Sequence, residues 1–311
     1  ITKEYSMRNI LFALVAVLFS TKVFAETIPM IVTGSTGGGI NAFAQLMAKD
    51  SEAGKYGDIK LDPIVPGSAC KGFAVVGKQA KGSTFLTHYE NYYQLVSKLK
   101  NNPACPFVSF EGAAPIVSKV GGLYLVVKTN GKGDNISNNG LSLNDFKNKK
   151  LKIGYSGSSS VEKEWHNQMN AKWGSDHIMV GYNGSSKMRA GMASEEVDAV
   201  WTSYRHFLRL MKVQKEYAIL LKTVDQNKVS KSTPTLGDYL GDPKLTRAWL
   251  STWYVFNDKN GIAKTIAASM KSDMASNTGN IGAYANKKKL ALEFDAETQT
   301  TMEKSYGWDQ Y

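Results

Sequence analysis

The sequence predicts an α/β protein of two lobes, each built around a mostly parallel sheet. Short apolar runs alternate with longer amphipathic segments, which is the pattern of strands and helices in such a sheet. This alternation restarts after a Gly/Asn-rich segment at residues 130–140, and the 311-residue chain exceeds the usual size of one domain. We therefore expect lobe 1 to comprise residues 26–122 and 226–311, and lobe 2 to comprise residues 123–225.

The elements of the two lobes follow from these patterns in chain order. Lobe 1 is expected to contain strands at 28–33, 59–64 and 83–88 and helices at 40–48, 72–81 and 92–100. Lobe 2 is expected to contain strands at 123–127, 152–155, 177–181 and 199–202 and helices at 161–173 and 186–193. The chain then returns to lobe 1 with a strand at 253–256 and a helix at 262–274. Ligands of parallel α/β sheets bind beyond the carboxyl ends of the strands, so a site is expected there.

The first 25 residues have the pattern of an export signal. Arg8, just after Met7, supplies a positive start, residues 10–19 form an apolar core, and Val23-Phe24-Ala25 precedes a predicted cleavage before Glu26. On this interpretation Met7 is the first residue of the signal, and Ile1–Ser6 lie upstream of the true start of the protein. The apolar core is too short for a membrane anchor, because a spanning helix needs about 20 apolar residues. We therefore expect a periplasmic protein with no later membrane-spanning segment.

The formal net charge of +11 raises the question of an anionic macromolecule as partner. The lysines are scattered among Asn, Ser and Gly, and the densest run, Lys287-Lys288-Lys289, has no interleaved aromatic residues. Nucleic-acid-binding proteins combine clustered basic residues with a recognisable motif, and the sequence has neither. A solvated basic face of a monomer, without a nucleic-acid partner, is the interpretation we favour.

The chain has two cysteines, Cys70 and Cys105. In the oxidising compartment to which an export signal leads, such a pair commonly forms a disulfide. The bridge would close a loop of about 35 residues and stabilise the protein by about 3 to 4 kcal/mol in the entropic treatment. A reactive pair would be spaced Cys-x-x-Cys, and a zinc site would need histidines at ligand spacing. We favour a disulfide over both, and we expect no metal site.

Two Ser/Thr/Gly loops follow predicted strands at equivalent places in the two lobes. The first contains Ser35, Thr36, Gly37, Gly38 and Gly39, and the second contains Ser156, Gly157, Ser158 and Ser159. Each precedes a helix and offers hydroxyls and N–H groups at the positive end of the helix dipole, which is a site for a carboxylate or phosphate. Each loop alone is also typical of an ordinary helix cap. Because the two are paired, we expect them to hold a small anion in a cleft that closes by a hinge motion.

Neither loop fits a catalytic motif. Residues 34–39 lack the Gly-x-Gly-x-x-Gly spacing of dinucleotide sites and the Gly-Lys-Ser/Thr of phosphate loops. Residues 154–158 depart from the hydrolase pattern Gly-x-Ser-x-Gly at its last position. We therefore expect a protein that is not an enzyme and carries no cofactor. The alternatives are an exported hydrolase that uses Ser156 or Ser35 with His88, and a structural surface protein.

Three further side chains are candidate ligand contacts at strand ends. His88 ends a predicted strand of lobe 1, where it either lines the cleft or packs structurally. Tyr182 and Trp201 fall at strand ends of lobe 2, where they can stack on a ligand or belong to the core.

Several motifs occur in an order that resembles one family. Beside the two glycine loops, Val65–Gly72 is similar to a Pro-Gly-Ala-x-x-Gly segment, Gly82–Leu86 to Asp-Gly-Tyr-Thr-Leu, and Thr233–Leu236 to Pro-Thr-Leu. Further matches lie at Gly181–Ser185 and Glu196–Ala199. The series resembles the substrate-binding proteins of tripartite tricarboxylate transporters, the TctC or Bug family.

This resemblance implies a two-lobed periplasmic-binding-protein fold of the Venus-flytrap, type II-like kind, with the ligand in the interdomain cleft. It implies capture of a small organic acid anion, a di- or tricarboxylate or an aromatic carboxylate, for the membrane permease subunits of the transporter. The family holds the carboxylate with its two loops, here Ser35–Gly38 and Ser156–Ser159. Asn41 stands where the family has Asp and is expected to affect specificity. The first loop also resembles receptors of TAXI-type TRAP transporters, which is the alternative.

Overall fold

A computed structural model describes residues 27–32, 39–62, 74–76, 78–79, 83–90, 113–129, 142–156, 161–213, 217–224, 229–246, 249–256 and 261–288. Within these residues lie ten strands: β1 Thr27–Ile31, β2 Asp58–Asp62, β3 Phe85–Glu90, β4 Ala113–Gly121, β5 Leu123–Lys128, β6 Lys152–Ser156, β7 Ile178–Tyr182, β8 Ala199–Ser203, β9 Tyr217–Lys222 and β10 Trp249–Phe256. The α-helices among them are α1 Gly39–Glu52, α2 Leu143–Asn148, α3 Val161–Trp173, α4 Ser185–Ala193, α5 Tyr204–Val213, α6 Leu236–Leu240, α7 Ile262–Ala275 and α8 Gly279–Lys288.

Five strands form the first sheet in the order β2-β1-β3-β10-β4. β1 pairs in parallel with β2 and β3, while β10 runs antiparallel between β3 and β4. Helix α7 covers one face because Ala263, Ile266, Ala267, Met270 and Met274 repeat at helical spacing and are all buried. They share an apolar core with α1, α8 and sheet residues such as Met30 and Leu86.

Five other strands form the second sheet in the order β7-β6-β8-β5-β9. β6 pairs in parallel with β7 and β8, and β5 runs antiparallel between β8 and β9. The central strands β5 and β8 are near-continuous apolar runs because helices cover both faces of the sheet. Trp165 of α3 and Leu236 of α6 pack on one face, and Met188 of α4 and Leu210 of α5 pack on the other.

The two sheets therefore share one strand order. In the first sheet β1 lies between its parallel partners β2 and β3, and the antiparallel strand β10 separates β3 from β4. In the second sheet β6 lies between its parallel partners β7 and β8, and the antiparallel strand β5 separates β8 from β9. The antiparallel strand of each sheet comes from elsewhere in the chain: β10 enters the first sheet after the second is complete, and β5 enters the second directly from β4. This duplication is the two-lobed α/β architecture that the sequence predicts.

The chain passes from the first sheet to the second at a single residue, Gly122, between β4 and β5. A Cβ at Gly122 would collide with the side chain of Val224, so only glycine fits this close approach. The segment that follows β9 lies beside this crossing. Leu123 N–H donates to Thr223 Oγ1 at 3.0 Å, and Thr223 N–H donates to the Leu123 carbonyl at 3.0 Å.

The chain stays with the second sheet well beyond β9. Leu236 and Leu240 are buried in the core of the second sheet, and Leu245 packs against it. Helix α6 is fixed there by a capping box, in which Thr235 Oγ1 accepts from Asp238 N–H and the Asp238 carboxylate accepts from Thr235 N–H. The return to the first sheet thus lies between Leu245 and β10, later than residue 225, where the lobe boundary is predicted.

Most of the strands and helices predicted within the described residues are present, α3 with both its bounds. Both sheets are mixed, however, whereas the sequence predicts mostly parallel sheets, because β10 and β5 insert antiparallel. The predicted export signal, Cys70, Cys105 and the helix at 92–100 lie outside the described residues. In the part of the chain that the structure describes, no helix is long and apolar enough to cross a membrane.

Candidate functional site

The carboxyl ends of β1 and β3 form the first candidate edge. Thr87 Oγ1 donates to the carbonyl of Ile31 at 3.1 Å, so the last residue of β1 is tied to the middle of β3. Helix α1 begins just beyond this edge at Gly39, which is exposed and has open space where a Cβ would be. Asn41, in the first turn of α1, is only 5% exposed. Asn41 is therefore a buried amide at the start of the helix that follows the first loop, and its contact with a ligand stays a prediction.

His88 lies behind this edge and faces the core. It is 1% exposed and sits directly opposite Trp253 of β10, with the two ring centroids 5.2 Å apart. Trp253 in turn contacts Phe43 of α1 at 5.9 Å between centroids. His88 is therefore part of an aromatic group that positions α1 against the sheet, and its contact with a ligand stays a prediction.

The carboxyl ends of β6, β7 and β8 form the second candidate edge. Ser156 ends β6 half-buried and is paired in register with Tyr182, the last residue of β7. The register of β6 with β8, continued by two residues, brings Thr202 to the same level. Thr202 is 2% exposed, and its hydroxyl has no hydrogen-bond partner within the described structure. A buried hydroxyl without a partner is costly, so Thr202 is a candidate ligand contact that sequence reasoning missed. The signal was a polar residue closing the apolar run of β8.

Tyr182 extends from this edge beneath α4. Its phenol lies so close to Gly191 that a Cβ there would collide with the ring. Burial raises the pKa of Tyr182 to about 12, with a further contribution from Glu196. The phenol is thus neutral and packed toward the helix, and its predicted role in binding the ligand is not tested by these contacts.

Trp201 lies on the opposite face of the second sheet, in the core. It is 1% exposed, and its indole N–H donates to His166 Nε2 at 2.7 Å. Burial and the neighbouring His177 lower the pKa of His166 to about 3, so the imidazole is neutral and carries its proton on Nδ1. Since the indole N–H is already used, a ligand could meet only the ring of Trp201, and that contact stays a prediction.

The two edges differ in charge at the helix that follows each loop. The first turn of α1 contains no acidic residue, whereas the first turn of α3 contains Glu162 and Glu164. Glu162 is 7% exposed and helps to raise the pKa of the Tyr155 phenol, after burial itself. Carboxylates in the first turn already occupy the positive end of the helix dipole. The first edge is therefore the better place for the negative charge of a ligand.

Several predicted site residues lie outside the described structure. They belong to the two loops and comprise Ser35, Thr36, Gly37, Gly38, Gly157, Ser158 and Ser159. Both loops are nevertheless bounded by described residues, Val32 and Gly39 for the first and Ser156 and Val161 for the second. Each loop thus joins the carboxyl end of a leading parallel strand to a helix N-terminus, which is where open α/β sheets bind ligands. Among the described residues, no group of three His, Cys, Asp or Glu side chains is placed to hold a metal.

Known structures with the same arrangement are two-lobed solute-binding proteins. A Rhodopseudomonas palustris protein solved with adipate superposes with a TM-score of 0.63 and 16% identity, over 92% of this chain and 96% of that one. MatC from Rhodopseudomonas palustris, with bound malate, gives a TM-score of 0.62 and 12% identity over 88% and 92% of the two chains. The periplasmic binding protein BugD gives 0.62 and 13% over 86% and 88%.

The chain has the fold of the periplasmic solute-binding proteins. BugD is a periplasmic binding protein, and a TctC solute-binding protein from Polaromonas is also similar, with a TM-score of 0.54 and 16% identity over 92% and 97% of the two chains. Both are of the type that the order of sequence motifs resembles. The sequence itself matches no family model and no curated protein. The similarity to these structures therefore rests on the fold, that is, on the strand order and packing of the two sheets.

Proposed function

We propose that this protein is a periplasmic solute-binding protein that captures a small organic acid anion, a di- or tricarboxylate or an aromatic carboxylate, between its two lobes. The observation that carries the proposal is the duplicated edge, where the leading parallel strand of each sheet runs through a Ser/Gly loop into a helix. Two edges of this kind can hold the two ends of one dicarboxylate. The malate and adipate in two similar structures support this ligand class.

The first edge binds the charge and the second supplies hydrogen bonds. The N-terminus of α1 has no acidic side chain to compete with a carboxylate, and Asn41 adds a buried amide donor. At the second edge, Ser156 and Thr202 supply hydroxyls, while Glu162 and Glu164 oppose a second full negative charge. The ligand therefore needs a carboxylate only at the end that meets the first edge. The end that meets the second edge can be a neutral group or a protonated carboxyl as well as a second carboxylate.

The wider setting follows from the same proposal. The chain is exported by residues 1–25, is cleaved before Glu26, acts as a monomer and delivers its ligand to the membrane permease subunits of a tripartite tricarboxylate transporter. Its lobes are those predicted from the sequence, with α6 assigned to the second lobe on the evidence of its packing. Closure of the lobes takes place about the crossing at Gly122 and Thr223.

Thermal-shift screening of the chain from Glu26 onward tests the ligand class. Malate, adipate, citrate and benzoate are the probes, and at least one of them is expected to raise the melting temperature and to bind with a measurable heat in calorimetry. Ligand that bridges the lobes should also reduce the radius of gyration in small-angle scattering. If none of the four acids stabilises the protein, carboxylate capture is the wrong function.

Substitutions at the second edge test the site. Ser156→Ala is expected to weaken binding of the best acid about three- to tenfold, because a hydrogen bond between neutral groups is worth about 0.5 to 1.5 kcal/mol. Thr202→Val removes an unpartnered hydroxyl, so it should weaken binding without lowering the melting temperature. Ser194→Ala is the control, since Ser194 caps the far end of α4 and bonds the Gly191 carbonyl. Equal affinities in all three variants would place the ligand elsewhere.

A further inference from the structure

Arginine is rare in this chain and is concentrated in one place. The sequence has five arginines against 33 lysines. Three of the five, Arg189, Arg205 and Arg209, lie on the consecutive helices α4 and α5. Lysine suffices where a surface needs charge alone, whereas the planar guanidinium presents a fork of N–H donors that matches an oxyanion. The concentration of arginine on these two helices therefore calls for an explanation beyond solubility.

Helices α4 and α5 pack side by side over the second sheet. Met188 and Met192 of α4 share an apolar core with Leu210 of α5, and Phe207 and Met211 pack against the same core. This packing brings Arg189 close to Arg209. Burial lowers the pKa of the Arg189 guanidinium, and the nearby charge of Arg209 lowers it further.

The guanidinium of Arg189 is held in place but incompletely bonded. Its Nη2 donates to Ser186 Oγ at 3.2 Å, which leaves the hydroxyl hydrogen of Ser186 free to donate elsewhere. Its Nη1 is buried and has no hydrogen-bond partner in the described part of the chain. A buried charged donor without a partner is costly unless a ligand completes it.

Within the described part of the chain, no carboxylate is paired with Arg189, Arg205 or Arg209. Ion pairs such as those of Lys55 with Asp273 and Lys150 with Asp176 involve lysines instead. Arg205 and Arg209 are also one helical turn apart on the exposed face of α5, a spacing at which like charges destabilise a helix. The arrangement concentrates positive charge that a bound anion would relieve.

We propose that Arg189 and Arg209 bind a phosphate-type oxyanion between α4 and α5, with the Ser186 hydroxyl as a third donor. Inorganic phosphate carries between about one and two negative charges at neutral pH, and the phosphodiester of a lipid headgroup carries one. Both present acceptor oxygens that two guanidinium groups can bind from two sides, which a single carboxylate does less well. Leu208 and Val213, 45% and 73% exposed on α5, would contact the lipid only in the second case.

Phosphate titration of the whole protein at constant ionic strength is the first test. Inorganic phosphate is expected to raise the melting temperature in a saturable way, while chloride at the same ionic strength has no such effect. Arg189→Lys keeps the charge but loses the fork, so the phosphate dissociation constant should rise at least tenfold, and Arg209→Gln should do the same. Lys212→Gln removes an exposed charge from the same helix and is the control, with an expected change below twofold.

Sedimentation with phosphatidylglycerol vesicles distinguishes the two sources of the oxyanion. Vesicle binding that is lost in both Arg189→Lys and Leu208→Ser, and is absent with phosphatidylcholine, identifies a headgroup. A response to inorganic phosphate alone identifies the free ion. In phosphate-free buffer, Arg189→Gln should leave the melting temperature unchanged or raise it, because charge repulsion is relieved. The proposal is overturned if the substitution lowers the melting temperature there, or if Arg189→Lys binds phosphate and vesicles as well as the parent protein does.

Discussion

Behind the first sheet, Asp50 and Asp273 are buried carboxylates that accept several hydrogen bonds, whereas behind the second sheet His166 and His177 are buried neutral imidazoles. Asp50 and Asp273, 4% and 7% exposed, join α1, α7 and α8. His166 and His177, 0% and 5% exposed, lie among Phe146, Trp165 and Trp201. One strand order thus tolerates two kinds of buried polar group, and the pH dependence and mutational sensitivity of the two halves should differ accordingly.

The largest effect is expected from Asp50→Ala in the first half. The Asp50 carboxylate accepts from the N–H groups of Asn280 and Ile281 at 3.0 Å each, so its loss leaves two donors at the start of α8 without an acceptor. We expect the free energy of unfolding to fall by about 2 to 4 kcal/mol in urea titrations. Asp50→Asn keeps an acceptor and should lose less. Asp58→Ala, at a half-buried position of β2, is the control and should cost about 0.5 kcal/mol.

Acidification should destabilise the second half before the first. His166 takes up a proton below about pH 6.5 when unfolded but only near pH 3 when folded, so its contribution to stability falls as the pH falls between those values. From pH 7 to pH 5 the loss is about 2 kcal/mol. Burial alone would raise the pKa of Asp273, but hydrogen bonds from Lys55, Tyr56 and Thr278 hold it below its usual value. The stability that Asp273 contributes is therefore kept until the pH falls below about 4.

Urea unfolding at several pH values between 7 and 5 measures this difference. His166→Gln should abolish most of the pH dependence in that range, because glutamine can accept from Trp201 without binding a proton. His206→Gln, on the half-exposed side of α5, should retain it. An unchanged pH dependence in His166→Gln would show that His166 is not the source.

The ion pairs of the two halves should also differ in how much they contribute to the free energy of unfolding. Lys55 pairs with Asp273, whose side chain is 9% exposed, while Lys150 pairs with Asp176, whose side chain is 76% exposed, at 2.7 Å. Lys55→Met should lower the unfolding free energy by about 1 kcal/mol, because it removes a donor from a buried carboxylate. Lys150→Met should have no measurable effect. If the two substitutions lower the unfolding free energy equally, burial of the Asp273 carboxylate does not make the Lys55 pair more stabilising.

The smallest effect is expected at the ligand edges. Glu162→Gln removes a negative charge from the first turn of α3, so it should strengthen binding of a carboxylate by about two- to fivefold, the range of a helix-dipole interaction. Calorimetry with the best acid from the thermal-shift screen measures the change. Glu164→Gln, in the same turn but only half-buried, should have a smaller effect in the same direction. A weaker binding in Glu162→Gln would mean that this carboxylate supports the ligand rather than repelling it.

The sequence predicts where strands and helices lie along the chain better than it predicts which strands pair in a sheet. Both bounds of α3 are predicted, and a helix-like stretch is predicted near Lys287, where α8 lies. The strands β4 and β9 and the helix α5 are not predicted, although α5 is strongly amphipathic. The position of β10 depends on β3 and β4, which are far away along the chain, so a local pattern cannot show that it runs antiparallel between them. Residues of β8 are buried on both faces, and for that reason alternation does not reveal that Trp201 faces the core while Thr202 faces the other way.

The candidate site shows the same limit. Ser156 is predicted because it belongs to a Ser/Gly loop of recognisable composition, and Asn41 because it stands where the resembled family has Asp. Thr202 and Arg189 were missed because their importance depends on a hydroxyl and a guanidinium nitrogen that are buried without partners, and burial of single atoms is decided by the packing of several elements.

The late entry of β10 also sets an order in which the chain can be completed during synthesis. Until residues 249–256 leave the ribosome or the export channel, β3 and β4 have no strand between them, and the first sheet remains in two pieces. The second sheet is drawn from one continuous segment, residues 123–222, and can close as soon as that segment is released. A chain stopped after Leu245 should therefore show one protease-resistant half, containing β5 to β9, and one half that is still open to digestion.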